Sequence, residues 1–294
     1  MARPAALRPG DAVSVIAPAS PFDRPAFERG LELLSKRYRP VFRPDLFDSA
    51  RYLAGSDERR LEELSEALAS EETRGIFCAR GGYGVLRLLG RLRLPKRTKP
   101  LIGFSDITAL HASLQRHGRT SIHGPVLTQL GRLGPKAARE LFDLLENPGA
   151  RPLFKGRPVV GGRALGRVVG GNLSTLTRLL GTPFMPPLES NILFLEDVGE
   201  RPYRLDRMWQ HLALAGVFKK VKGIALGQLV ECEEKAGAFT SREIVDELVR
   251  RTGLPCVADF PVGHGGVNRP FPLGARARLD ADAGTLAFLE GAVR

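Results

Sequence analysis

The chain predicts an α/β protein in which a parallel sheet is covered by helices on both faces. Short β-branched or apolar runs alternate with helical stripes through the first half, and most of these runs end in turn-forming or glycine-rich sequence. Strands that alternate with helices need crossover connections, and those place helices over the sheet. Near Glu146–Gly162 the texture changes to Pro/Gly-punctuated sequence, ENPGARPLFKGRPVVGG. This predicts an interdomain crossing, with one domain over 1–150 and a second over 160–294.

Ala12–Ala17 reads as the first strand, followed by the turn-rich Pro18–Pro25. A helix over Ala26–Lys36 sets Phe27, Leu31 and Leu34 on one stripe. Ser56 and Asp57 can cap the next helix, whose apolar positions include Leu61, Leu64 and Leu68. Gly75–Ala79 reads as a buried strand ending in Arg80-Gly81-Gly82-Tyr83-Gly84. Pro100–Phe104 is a further strand, leading into a helix from Asp106 to His117 that stops at Gly118. In the second half, strands are expected at Ile192–Leu195 and Gly223–Leu229, and a helix at Leu205–Ala215. A terminal hairpin should pair Ala275–Leu279 with Thr285–Leu289.

With 294 residues, 43% hydrophobic and 26% charged, the chain can bury a large core. Its net charge of +12 is unusual, and is compatible with a polyanionic partner or with the steering of acidic substrates. The densest basic stretch, Arg87–Lys99, alternates with leucines and does not form a binding tail. Three widely spaced cysteines, Cys78, Cys232 and Cys256, form neither a CxxC pair nor a disulfide framework. The N-terminus has no apolar signal-peptide core, and no stretch approaches the roughly 20 apolar residues that span a bilayer. A cytoplasmic protein is expected.

Ser105 stands where a strand ends and a helix begins, in Ile102-Gly103-Phe104-Ser105-Asp106-Ile107. Free N–H groups and the positive end of the helix dipole converge there, so a tetrahedral oxyanion would be stabilised. The local sequence fits two readings, an ordinary serine N-cap or a nucleophile resembling the GxSxG elbow with Ile107 in place of the last glycine. A nucleophile needs a base and an acid to orient it. Of five histidines, His264 in the Gly-rich PVGHGGVN is the best base. His111 falls on another helix face, His117 sits near a helix end, and His211 belongs to a patterned helix, while His123 could line the same rim. Acids cluster in Glu196-Asp197-Val198-Gly199-Glu200, where Glu196 comes off a strand end. A solvated turn or a metal site with Asp206 are the other readings of that cluster, but no histidine pair at ligand spacing accompanies it. Two Gly-rich segments, Arg80–Gly84 and Gly161–Asn172, match no nucleotide-binding motif.

In this order, several segments together resemble one family, the LD-carboxypeptidases, serine peptidases that include muramoyltetrapeptide carboxypeptidases. They are VIAPAS (Val15–Ser20), YLAGSDERRLEEL (Tyr52–Leu64), ARGGYG (Ala79–Gly84), IGFSDITALH (Ile102–His111), GGNLSTLTRLLGTP (Gly170–Pro183), LFLEDVGERPYRLDRM (Leu193–Met208) and PVGHG (Pro261–Gly265). The resemblance implies a catalytic triad of Ser105, Glu196 and His264, with Glu200 the less favoured acid. It places an oxyanion hole near the RGGYG loop, assigned to the N–H groups of Gly82 and Asp106. It also implies a Rossmann-like N-terminal domain, a smaller β-rich α/β C-terminal domain and a homodimer. No metal or cofactor is called for. The expected reaction releases the C-terminal D-alanine of a murein tetrapeptide, in peptidoglycan recycling, with Arg80, Arg201 and Arg204 as candidates for its terminal carboxylate. The rival within the fold is a microcin-immunity type hydrolase of peptide-nucleotide antibiotics, which calls for an aromatic platform for the base. Trp209, the only tryptophan, falls in a patterned helix. The non-enzymatic rival is a basic nucleic-acid-binding protein, for which the motifs offer no recognition element.

Overall fold

The computed structural model describes residues 1–234 and 239–294. The first half alternates as its patterning predicts: β1 (Ala12–Ile16), α1 (Arg24–Ser35), β2 (Arg39–Val41), α2 (Asp57–Ala69), β3 (Gly75–Cys78), β4 (Leu101–Gly103), α3 (Thr108–Arg116), β5 (Ser121–His123), α4 (Leu127–Leu133) and α5 (Pro135–Glu146). Asp23 caps α1 and Ser56 caps α2, each accepting a hydrogen bond from an N–H of the first turn. The second half runs β6 (Leu153–Lys155), β7 (Arg157–Val160), β8 (Arg163–Asn172), α6 (Leu173–Thr177), β9 (Ile192–Val198), α7 (Pro202–Leu214), α8 (Val217–Lys220), β10 (Gly223–Val230), α9 (Ser241–Thr252), β11 (Cys256–Ala258), β12 (Phe271–Leu273), β13 (Arg276–Asp280) and β14 (Thr285–Phe288).

These strands form two sheets. The first has the order β12-β5-β4-β3-β1-β2 and is parallel except for β12, which pairs antiparallel with β5. The second has the order β6-β14-β13-β8-β9-β10-β11-β7, with a parallel centre from β8 to β11 and antiparallel flanks. Strand alternation decides which helices pack where. Val13, Val15, Phe77 and Ile102 face α1, α4 and α5, whereas Ile16, Ile76, Cys78 and Leu101 face α2 and α3. The latter core continues into Leu193, Leu195, Leu205 and Trp209 of the second half, so one packed interior joins the two sheets.

The chain does not separate cleanly at the Pro/Gly-rich crossing. β12, from the second half, completes the edge of the first sheet, and Ala292 and Val293 are buried among the side chains of α4 and α5. The pairing of Phe271 with His123 explains the return, since the two rings stack with centroids 5.0 Å apart. Those long-range contacts leave no periodic mark in the sequence.

Candidate active site

The carboxyl ends of β1, β3, β4 and β5 open on one side of the first sheet, where crevices of parallel sheets form. There a cleft of about 530 Å³ is lined by Arg80, Gly81, Gly82, Phe104, Ser105, Val126, Thr128, Gln129, Arg132, Val198 and His264. Ser105 follows β4 through one extended residue, Phe104, and opens a short 3₁₀ turn that runs into α3. Its φ of +64° is left-handed, an uncommon state for a residue with a side chain. Such a turn lifts the hydroxyl off the sheet, and the strain it carries is of the order of 1 kcal/mol or more. Ser105 is therefore not the N-cap: that position is Phe104 for the 3₁₀ turn and Ile107 for α3, and neither end carries a side-chain cap.

The glycine loop after β3 lies against this serine. A methyl group on Gly81 would stand 2.7 Å from Ser105 Cβ and 3.1 Å from its Oγ, so only glycine fits. Gly82 holds φ +104° and packs on Ser20. The carbonyl of Gly81 accepts from Ser20 N–H at 3.3 Å. In a trans peptide the following N–H points the opposite way, so the Gly82 N–H is turned away from Ser20 N–H.

The Asp106 side chain fixes this loop to the serine turn. Its carboxylate accepts from Val85 N–H at 2.9 Å, and fully buried Arg60 donates to the carbonyls of Pro18 (2.7 Å) and Gly84 (3.0 Å). Asp106 is only 3% exposed, and burial pushes its carboxyl up to about 6, against smaller opposing contributions from the Val85 hydrogen bond and Arg60. Between about pH 4 and that value the native chain holds a proton that the unfolded chain has released, so this group costs stability as pH rises through the window. Relative to Asp106→Asn, the native chain should therefore lose up to about 3 kcal/mol of stability between about pH 4 and about pH 7, measured by urea unfolding. A difference that does not change with pH would show the carboxyl to be unshifted.

From the second sheet, Glu196 sits within β9, which runs on through Val198, past the end expected from sequence. The carboxyl is 0% exposed; Oε2 accepts from His264 Nδ1 at 2.7 Å, while Oε1 has no protein partner. A carboxylate partner selects the Nδ1–H tautomer and leaves Nε2 as the free acceptor. The imidazole packs on Phe104, centroid to centroid 4.6 Å, which brings it beside the residue preceding Ser105. Ser105 and His264 line the same cleft without a direct hydrogen bond, a common state for such a pair before substrate binds. Glu200 lies elsewhere, 3.6 Å from Arg204, and among the described residues no group of three or more His, Cys, Asp or Glu is placed to hold a metal ion.

Two residues that the sequence did not single out hold the histidine loop. Gln129 Nε2 donates to Gly263 O at 3.0 Å, and its Oε1 accepts from Asn268 Nδ2, whose Oδ1 in turn accepts from Gly263 N–H. Arg132 Nη2 donates to the carbonyls of His264 and Gly265, both at 3.1 Å. In the sequence Gln129 and Arg132 are unremarkable polar residues of a helix; their role depends on α4 crossing to the second half. Of the arginines expected at the substrate, Arg80 lines the cleft, with Nη1 on Pro21 O at 2.6 Å; Arg201 and Arg204 lie outside the lining, at the start of α7.

The remaining histidines take other places. His111 is buried under β4, bonded to Gly103 O at 2.8 Å, and burial lowers its pKa to about 4. His123 is not on the rim but fully buried between Phe104, Phe194 and Phe271, and desolvation drives its pKa well below the ordinary value, so it is neutral. The glycine-dense end of β8 is no anion cradle: a methyl on Gly171 would meet Thr108 Oγ1 at 2.5 Å, and that oxygen accepts from Asn172 N–H. Cys78 and Cys256 are buried thiols pushed up by desolvation.

The class the structure defines is a two-sheet α/β protein, with Ser105 on a left-handed strand-to-helix turn and His264, bonded to buried Glu196, lining the same cleft. The sequence profile of the LD-carboxypeptidase N-terminal domain matches residues 13–124, and that of the LD-carboxypeptidase C-terminal domain matches 165–279. The chain belongs to the LD-carboxypeptidase family. It is 41% identical to a putative carboxypeptidase of Synechocystis over 98% of this chain and 97% of the relative. It is 38% identical to the murein tetrapeptide carboxypeptidase of Pseudomonas aeruginosa over 79% and 80% of the two chains. Among solved structures, muramoyltetrapeptide carboxypeptidase from Oxalobacter formigenes superposes with a TM-score of 0.85 at 28% identity, covering 94% of this chain and 97% of that one. The microcin C7 self-immunity protein MccF shares the fold, with a TM-score of 0.91 at 23% identity over the full length of both chains. Among the described residues no helix is long and apolar enough to cross a membrane.

Proposed function

We propose that the protein is a serine LD-carboxypeptidase that releases the C-terminal D-alanine of a murein tetrapeptide in peptidoglycan recycling. The observation that carries this is the 2.7 Å contact of buried Glu196 with His264, whose imidazole lines one cleft with Ser105. His264 Nε2 removes the Ser105 proton as Oγ attacks the carbonyl before the terminal residue, with Glu196 holding the ring and stabilising its cation. The Gly82 and Asp106 N–H groups hold the oxyanion. His264 then returns its proton to the leaving amine, and water, activated by the same imidazole, frees the acyl group from Ser105.

The cleft suits an acidic peptide, because its lining carries two arginines and no carboxylate. A peptide-nucleotide substrate finds less support. Phe104, the one aromatic residue of the lining, already packs on His264, and Trp209 is buried against Phe218 with ring centroids 4.8 Å apart. Nor does the basic charge mark a nucleic-acid face, since Arg37, Arg43, Arg157, Arg163 and Arg269 are each paired with acids. The same reading takes the protein as a cytoplasmic homodimer, which light scattering after size exclusion tests for its oligomeric part. Incubated with free tetrapeptide, the protein should lower the peptide mass by one alanine. An intact tetrapeptide after prolonged incubation with folded protein refutes the assignment.

A further inference from the structure

We infer that Arg132 binds the terminal carboxylate of the substrate and so makes the cleft an exopeptidase site. The inference rests on the proposed acyl-transfer reading for the position of the scissile bond, and the argument is geometric. In a carboxypeptidase the leaving nitrogen and the terminal carboxylate are attached to one Cα. The carboxylate oxygens therefore lie within roughly 3–4 Å of the atom that His264 must protonate. A cation serving them has to stand on the histidine side of Ser105, within one hydrogen-bond length of that position.

Two cations line the cleft, and they are anchored to different loops. Arg80 belongs to the loop that carries the Gly82 N–H, and its guanidinium is turned to Pro21 O at 2.6 Å. It is thus anchored away from the histidine loop, on the Pro21 carbonyl. Arg132 is bonded through Nη2 to the carbonyl of His264 itself, at 3.1 Å. Its Nε and Nη1 donate to no acceptor among the described residues, and the side chain is exposed to the cleft. A guanidinium held by Nη2 keeps Nη1 and Nε on two separate edges, and either can give a carboxylate one charge-assisted hydrogen bond. No acidic side chain in the lining competes for it.

Binding to the Ser105→Ala protein tests this without turnover, using as probes a murein tetrapeptide ending in free D-alanine and the same peptide ending in D-alanine amide. The acid should bind roughly 10- to 100-fold tighter than the amide, the range expected for hydrogen bonds to a charged group. Adding Arg132→Ala should reduce the acid to the affinity of the amide and leave the amide unchanged, while Arg132→Lys keeps part of the preference. If acid and amide bind alike to Ser105→Ala, or Arg132→Ala weakens both equally, the inference is overturned; the latter marks a residue that only holds the histidine loop. Alanine release by the unmodified protein is scored separately. A protein that shows the Arg132-dependent preference yet releases no alanine retains this inference and loses the proposed activity.

Discussion

Glycine in place of Ser105 is expected to give a folded, inactive and slightly more stable protein. The φ of +64° at this position costs a residue with a Cβ about 1 kcal/mol or more, and glycine adopts it without that penalty. Against this stands the greater freedom glycine gains in the unfolded chain, worth about 0.5–1 kcal/mol. The balance favours the folded variant by a few tenths of a kcal/mol to about 1 kcal/mol, a rise in Tm of about 1–3 °C for a chain of this size. Ser105→Ala retains the strain and should not gain. Both variants lose the nucleophile, and kcat should fall by about 10⁴-fold or more. Calorimetry of the three proteins beside alanine release separates the two effects. Equal melting temperatures for the glycine and alanine variants would mean that the turn relaxes and stores nothing. Retained activity in either would remove Ser105 from the chemistry.

The same turn shows what the sequence could and could not reveal. The strand-to-helix switch around Ser105 was legible because Leu101–Gly103 is a buried apolar run and the following residues carry a helical stripe. Position 105 could equally have been a capping serine, and only the backbone angle and the approach of Gly81 decide between these. Glu196 and His264 were legible as chemistry-bearing residues next to glycines or at a strand end, but their 2.7 Å contact spans 68 residues and depends on the register of β9 beside β10. Periodicity carries no information at that range. The Gln129–Asn268 clamp and Arg132 were invisible for the same reason, as were β12 in the first sheet and the buried ring of His123. A histidine after a short apolar run reads as a rim residue until three phenylalanines from both halves are seen to enclose it. Local patterns thus placed the strands and helices, while the enclosure of the site came from contacts between distant segments.

Glu196→Gln should be nearly as damaging to turnover as loss of the serine, although it changes almost no volume. The reason lies in the unequal surroundings of the two carboxyl oxygens. Oε2 meets His264 Nδ1, whereas Oε1 is buried with no protein partner. A glutamine there has two orientations. With its oxygen toward the imidazole, the amide NH₂ occupies the unpartnered site, and an unsatisfied buried donor costs about 1–3 kcal/mol. With its NH₂ toward the imidazole, the amide oxygen takes that site, which already holds an oxygen without a partner, so the second orientation prevails. It donates to Nδ1 and forces the ring proton onto Nε2, the nitrogen that must accept from Ser105. An imidazole in that tautomer cannot act as base, and kcat should fall by about 10³–10⁴-fold with KM little changed, while the fold loses no stability because a buried charge is removed. Nitrogen-15 chemical shifts of His264 report the tautomer directly and kinetics report the loss. A Glu196→Gln protein that keeps its Nδ1 proton and most of its turnover would show that Glu196 does not set the state of the histidine.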